Sequence, residues 1–335
     1  MAMAARPVLE RFPRCSPVIL AQTKRDYPAS TIKRPTMAPI FLNTLYEVET
    51  QYGKISEVWF DGSSGNTAKS EKYDYPAFYD LIGKLQPDAV VAVGGRDVRW
   101  VGNEAGQARA DNEWSRLAVG DPADKGKFTE IIPTDAQDLG DRTSLISAVR
   151  QGANTLHWWP AEADFKLTQG WFAHPNDQPL SGNQLLQKYE ETVGRNAVFL
   201  MNVPPTTDGS ISAASIQALK DFKIARDKAY GTDLASAGRT TTTESAVNID
   251  LGSAKSVKRI SLSEDVLNYG QSAEKVSVEA KVDGSWQSIA EAGAIGQMRI
   301  LVLPTAVTAQ EFRITVKESR APVHFAGISL WSNLT

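Results

Sequence analysis

A chain of 335 residues is longer than one ordinary core needs and shorter than two large ones, so the expectation is a main domain with a smaller companion. Hydrophobic residues at 42% and charged residues at 22% are ordinary for a globular chain and exclude disordered or collagen-like sequence. A net charge of −3 offers no basic footprint for nucleic acid or an anionic membrane. Cys15 is the only cysteine, and His157, His174 and His324 are scattered, so no internal disulfide and no familiar zinc motif can be assembled. No metal and no cofactor is expected.

Residues 1–38 mix charges with prolines and show neither helical nor strand period, which reads as an irregular leader. The charges and prolines there interrupt every apolar stretch, so no signal-peptide core is readable. No apolar run anywhere approaches the ~18 residues of a membrane span. From Ile40, the spacing of Phe41, Leu45, Val48 and Tyr52 predicts an amphipathic helix stopped at Gly53. The β-branched and aromatic run Ile55–Phe60 then predicts a buried strand that empties into Asp61-Gly62. The same unit repeats: Tyr75, Phe78, Ile82 and Leu85 mark a helix, Pro87 ends it, and Asp88–Val93 is an almost wholly apolar strand.

An irregular region is expected from Arg96 to about Asn154, and a third strand at Thr155–Trp159, ending in polar and acidic residues. Leu185, Leu186, Tyr189 and Val193 predict another helix capped by Gly194, followed by a fourth strand from Asn196 to Val203 and a last helix from about Ser212 to Tyr230. Helices alternating with apolar strands, with glycines and acids at the strand C-termini, predict a parallel α/β fold with the β/α barrel as its leading form. Past Gly231 the helical period disappears. The run Arg239–Thr243 reads as a polar break, and short strands with two-residue alternation follow at Val276/Val278, Phe312/Ile314/Val316 and Ile328/Leu330. Roughly seven short strands separated by Asn, Gly and Asp turns predict an all-β sandwich or jelly roll. The expected division is therefore a leader at 1–38, a partial β/α barrel at 39–231 and a β-sandwich at 240–335.

Reactive groups in parallel α/β folds sit just past the strand C-termini. Asp61 holds such a position, where a carboxylate can be a nucleophile, a general base, a metal ligand or a loop cap. Trp59 lies two residues earlier on the same strand face. An aromatic ring beside a carboxylate suits a sugar, whose C–H face stacks while its anomeric carbon is attacked. Glu104 follows in Arg99-Trp100-Val101-Gly102-Asn103-Glu104-Ala105-Gly106, where paired glycines free the backbone; it is a candidate general acid or a solvated loop residue. The segment Trp158–Asp164 adds two indoles and two carboxylates, Glu162 and Asp164, and Trp171 follows. Clustered aromatics with acids favour carbohydrate, with core packing as the competing use for any single ring.

The stretches VWFDG (58–62), LQPDAVV (85–91), DVRWVGNEAG (97–106), WWPAEAD (158–164), GWFAH (170–174) and LLQKYEETVGRNAVFLMNVPP (185–205) closely resemble α-L-fucosidases of glycoside hydrolase family 29, in the same order. The segments SLSEDVLNYGQSAEKVSVEA (261–280) and FRITVKESRAPVHFAGISLW (312–331) are similar to a galactose-binding-like, discoidin-type module. The resemblance implies a retaining exo-glycosidase that removes terminal α-L-fucose from fucosylated glycans. By the same analogy Asp61 is the nucleophile. Glu104 is the acid/base of the branch selective for α-1,3/1,4-linked fucose, with Glu162 as second choice, and Trp59, Arg99 and Trp171 are pocket residues. Family members place barrel strands and sugar-holding histidines upstream of the nucleophile, whereas here 60 residues without a histidine precede Asp61. The sequence therefore predicts an N-terminally shortened barrel, completed by a second copy of the chain or by rearrangement. A non-catalytic fucose- or galactose-binding remnant is the other reading.

Overall fold

The computed structural model describes residues 37–60, 74–92, 97–111, 113–119, 140–153, 155–243 and 245–332. Nearly all of the leader at 1–38 and the candidate nucleophile Asp61 lie outside them. The chain divides into two compact units, Met1–Gly95 with Pro205–Ser210, and Arg96–Pro204 with Ile211–Thr335.

In the first unit, helix α1 (Met37–Gln51) leads into strand β1 (Glu57–Trp59), and helix α2 (Tyr75–Leu85) into strand β2 (Val90–Ala92). Asp74 caps α2 by accepting from the Ala77 amide at 3.2 Å, and the helix closes at Gln86, one residue before Pro87. β1 and β2 pair in parallel, Trp59 opposite Ala92. Val58, Phe60, Ala89 and Val91 pack with Leu45, Phe78 and Ile82 of the helices, so one sheet face is covered by helix. Alternation puts Glu57 and Trp59 on the other face. The Gln86 side chain fastens the layers, donating to the Glu49 and Gly53 carbonyls and accepting from the Ile55 amide at 3.1 Å.

The second unit starts with strand β3 (Arg99–Trp100) and strand β4 (Arg116–Val119), continues through helix α3 (Arg142–Arg150), and reaches strands β5 (Thr155–Trp158) and β6 (Ala161–Lys166). Helix α4 (Gly182–Thr192), strand β7 (Ala197–Asn202) and helix α5 (Ala213–Ala229) complete its α/β part. The sheet β3-β6-β7 is parallel throughout, while β4 and β5 form a separate antiparallel pair. Ser181 and Gln184 form a reciprocal capping box on α4, and Ser212 caps α5. Phe165 and Leu167 of the β6 segment pack with Leu185 of α4, Ala218 and Phe222 of α5, and Phe199 and Met201 of β7, again covering one sheet face with helix.

The region from Arg96 to Asn154 is thus not wholly irregular: it holds β3, β4 and α3, the last capped by Asp141 at 2.7 Å from the Thr143 amide. The acids after the third expected strand are not in a loop either. Pro160 separates β5 from β6, and Glu162 and Asp164 lie inside β6.

Among the described residues the all-β part has six strands, β8 (Arg239–Thr242), β9 (Ala246–Glu264), β10 (Ala273–Val282), β11 (Ser285–Ala292), β12 (Arg299–Ser319) and β13 (Phe325–Ser332). The threonine run read as a break is the first of them. Two are long, β9 with 19 residues and β12 with 21, where short strands were expected. Their mutual pairing shifts register between Val302 and Val307 and again between Ala309 and Glu311. The first half of β9 and the second half of β12 sit among β8, β10 and β11, whereas the other halves sit beside β13. Bulges of this kind bend a sheet. Residues of both halves, among them Ile249, Phe312 and Val278 on one side and Ile260, Leu301 and Leu330 on the other, share one apolar core.

This sheet belongs to the same compact unit as β3–β7 and is fastened to it by polar side chains. Gln271, 1% exposed, accepts from the Ser115 amide at 3.0 Å and donates to the Glu113 carbonyl at 3.2 Å. Arg299 pairs with Asp111 at 3.0 Å and Arg259 with Glu190 at 2.6 Å.

Candidate active site

Because β3 and β6 run in parallel, the segments leaving their C-terminal ends emerge on one edge of the sheet. After β3, Gly102 takes φ of 97°, and Asn103 closes a local turn by accepting from the Ala105 amide at 3.0 Å. The loop is then held from two sides: Lys188 of α4 donates to the Ala105 carbonyl at 2.7 Å, and the Gly106 amide donates to the Asp164 carbonyl at 3.1 Å. Gly106 has φ of 62° and lies so close to Phe165 that a β-carbon would sit 2.7 Å from its ring. Glu104 is therefore an exposed carboxylate on a fixed loop.

Trp171 reaches Glu104 from the segment after β6. Its indole Nε1 donates to a Glu104 carboxylate oxygen at 3.3 Å. Asn202, at the end of β7, donates to the Trp171 carbonyl at 2.9 Å, and the Lys166 ammonium lies 5.3 Å from the indole centroid. All three strands of the sheet thus meet at this pair.

The face of the same sheet opposite helices α4 and α5 carries Trp100, Glu162, Asp164 and Lys166, by alternation from the residues packed on those helices. Trp100 Nε1 donates to Asp164 at 2.6 Å. Glu162 is 2% exposed and Asp164 6%, whereas Trp100 is 39% exposed. Glu104 is accessible to a substrate in a way that Glu162 is not.

Arg99 faces the other way. Its guanidinium pairs with Glu113 and donates to the Trp114 carbonyl at 3.1 Å, with Arg99 3% and Glu113 3% exposed. Burial lowers the Arg99 pKa and the Glu113 carboxylate opposes that, so the pair is a brace within the fold. Arg109 adds a second cation, 3.2 Å from Glu113. Of the sequence-derived site residues, the structure brings together Glu104 and Trp171; it buries Arg99 and Glu162, and it places Trp59 on the face of the first unit's strands opposite α1 and α2. Lys166 and Asn202 carry no sequence signal that marks them, and Asp164, noted in the sequence beside Glu162 after the third strand, lies inside β6. Among the described residues no group of three or more His, Cys, Asp or Glu side chains is arranged to hold a metal ion.

The sequence model of the α-L-fucosidase family matches residues 19–223, and the chain belongs to that family, glycoside hydrolase family 29. Two curated plant relatives are similar. Alpha-L-fucosidase 1 of Arabidopsis thaliana is 35% identical over 196 residues, covering 58% of this chain and 35% of that protein. A protein of Oryza sativa subsp. japonica described as a candidate α-L-fucosidase 1 is 31% identical over 326 residues, covering 86% and 59%. The chain therefore spans about a third to three fifths of the length of these relatives. Among solved structures, a candidate α-L-fucosidase from Bacteroides ovatus aligns with a TM-score of 0.77 at 33% identity, covering 89% of this chain and 52% of that one. A glycoside hydrolase 29 family member from an unknown rumen bacterium aligns with a TM-score of 0.72 at 28% identity, covering 89% and 54%.

Proposed function

We propose that this chain carries the reacting groups of a retaining α-L-fucosidase acting on terminal α-linked L-fucose. The observation that carries the reading is the Trp171–Glu104 pair, an accessible carboxylate steered by an indole past the ends of β3 and β6. In each unit, taken by itself, the helix-covered parallel strands read as wall segments of a β/α barrel; in the second, Trp100, Glu162 and Asp164 lie on the face away from the helices. The bent six-stranded sheet reads as a β-sandwich.

In the reaction, the Asp61 carboxylate attacks C1 of fucose while Glu104 delivers its proton to the glycosidic oxygen, so the C1–O bond breaks as the C1–Asp61 ester forms. Water then attacks C1, Glu104 takes its proton, and the ester bond breaks. Two inversions give net retention. Retaining chemistry needs the two carboxyl groups about 5–5.5 Å apart, with no room for a water between attacker and sugar. The exposed position of Glu104, on a glycine-framed turn, gives the leaving group a path to solvent. The resemblance of the Gly102-Asn103-Glu104 motif to the α-1,3/1,4-selective branch supports including that selectivity in the reading.

Proton NMR of the first turnovers tests the stereochemistry. Release of α-L-fucose that only later mutarotates supports the double displacement, and initial release of the β anomer rules it out.

A further inference from the structure

A second cluster of sugar-type chemistry lies on the all-β sheet, away from the β3-β6-β7 edge. The residues of β8, β9, β12 and β10 that alternate with the core residues Ile249, Phe312 and Val278 form an outward polar face. Register aligns Thr241 with Asn248, Asn248 with Arg313, and Arg313 with Glu279; the next row aligns Arg239 with Asp250 and Asp250 with Glu311. Trp286 of β11 stands opposite Lys281 at the end of this face. It lines a groove of about 270 Å³ together with Arg239, Thr241, Asn248, Asp250 and Glu311.

Three features define what the groove can take. The charges on the face are already matched: Lys281 lies 2.8 Å from Glu311, Arg313 lies 2.8 Å from Glu279, and Arg239 lies 3.6 Å from Asp250. An ionic ligand would have to break one of these pairs, whereas a neutral one need not. The side chains of Thr241 and Asn248 line the same groove and make no hydrogen bond among the described residues, so a hydroxyl donor, an amide donor and an amide acceptor are available there. The half-buried indole of Trp286 supplies an apolar surface and is held in place by the Arg313 guanidinium, 4.4 Å from its centroid, and by the Lys281 ammonium at 5.9 Å. Spare neutral hydrogen-bonding groups beside a fixed indole match the mixed C–H and hydroxyl surface of a sugar ring. The volume falls just under the ~300 Å³ at which small-molecule pockets begin, which suits one ring better than a chain.

We propose that the Trp286 groove is a binding site for one neutral pyranose unit of a glycan, separate from the hydrolytic site. It stands on the chemistry of the sheet face and does not depend on turnover. Isothermal titration of the full chain carrying Asp61→Asn, with D-galactose, D-mannose, D-xylose and lactose in turn, tests it. At least one of these sugars binds with a millimolar Kd. Trp286→Ala and Asn248→Ala each weaken that binding by about tenfold or more, Trp286→Phe restores most of it, and the circular dichroism of each variant stays that of the parent. Aryl fucoside hydrolysis is unchanged when the same substitutions are made in the chain with Asp61 intact. Binding that survives both alanine substitutions, or no binding of any of the four sugars at tens of millimolar, overturns the proposal. Failure of hydrolysis alone leaves this binding result readable.

Discussion

The Arg99 guanidinium is sealed against the Glu113 carboxylate, each residue 3% exposed, at the point where β3 begins. Breaking a buried pair by deleting one partner leaves an uncompensated charge and costs about 3–5 kcal/mol. Glu113→Ala should cost that much in urea denaturation, and the double variant Arg99→Met/Glu113→Leu should recover a large part of it. A guanidinium used only for substrate would behave differently, raising KM for an aryl fucoside while leaving the urea midpoint in place.

Glu113 also belongs to a chain of contacts from the all-β sheet to the candidate site. Asn196, with φ of 62° between α4 and β7, donates to the Glu113 carbonyl at 2.9 Å and to Ser115 Oγ at 3.0 Å, and accepts from the Gln297 amide at 2.8 Å. Asn196→Ala removes all three bonds at a buried position and places a less tolerant residue in the left-handed region, so a loss of about 2–4 kcal/mol is expected. Gly296 has φ of 67° and a β-carbon there would sit 2.4 Å from the Asn196 amide. Gly296→Ala should therefore destabilise too, and the double variant should lose less than the sum of the singles, as read by thermal unfolding.

Glu274 supplies a pH dependence of known sign. Arg142 of α3 donates to it twice at 3.0 Å, burial partly opposes the effect, and Arg320 adds a bond at 2.8 Å; together they hold the carboxyl below its ordinary value of 4.5. A depressed folded-state pKa gives stability that is present above 4.5 and lost as pH falls through the folded value. Glu274→Gln should then be less stable than the parent by about 1.5–3 kcal/mol at neutral pH. The difference should shrink towards zero under acid, as followed by urea midpoints across the pH range.

Much of this arrangement was legible in the sequence where periodicity and stop signals agreed. α1, α2, α4 and α5 and strands β1, β2 and β7 follow from apolar spacing and from Gly53, Pro87 and Gly194. β6 was missed because Ala-Glu-Ala-Asp alternates small and acidic residues, which hides the strand from a hydrophobic reading. α3 was missed because only Leu145 of its residues is deeply buried, so its apolar stripe is thin. The two long strands of the all-β part look like several short ones because their bulged middles, such as Gly252–Ser256, are exposed and polar. Glu104 and Trp171, which the structure brings within hydrogen-bond distance, were both singled out in the sequence. The burial of Arg99 was not, since Glu113 lies in a stretch without period and its partnership depends on tertiary packing.

The indole of Trp171 gives Glu104 a hydrogen-bond partner that phenylalanine cannot supply. If Glu104 is the acid, its substitution should matter most where the leaving group needs a proton. Glu104→Gln should slow fucose release from an oligosaccharide by about 10²–10⁴-fold and slow the first step on p-nitrophenyl fucoside, whose phenolate leaves unaided, far less. Trp171→Phe should follow the same pattern with a smaller effect. Equal losses on both substrates would remove Glu104 from the acid role.

The most direct measurement is release of p-nitrophenol from p-nitrophenyl α-L-fucoside by the parent chain and by Asp61→Asn, at matched folded concentration. The account predicts steady turnover by the parent and a loss of at least about 10³-fold in the variant, as expected when an attacking nucleophile is removed. Absence of turnover by the folded parent, or turnover that Asp61→Asn leaves intact, would contradict it.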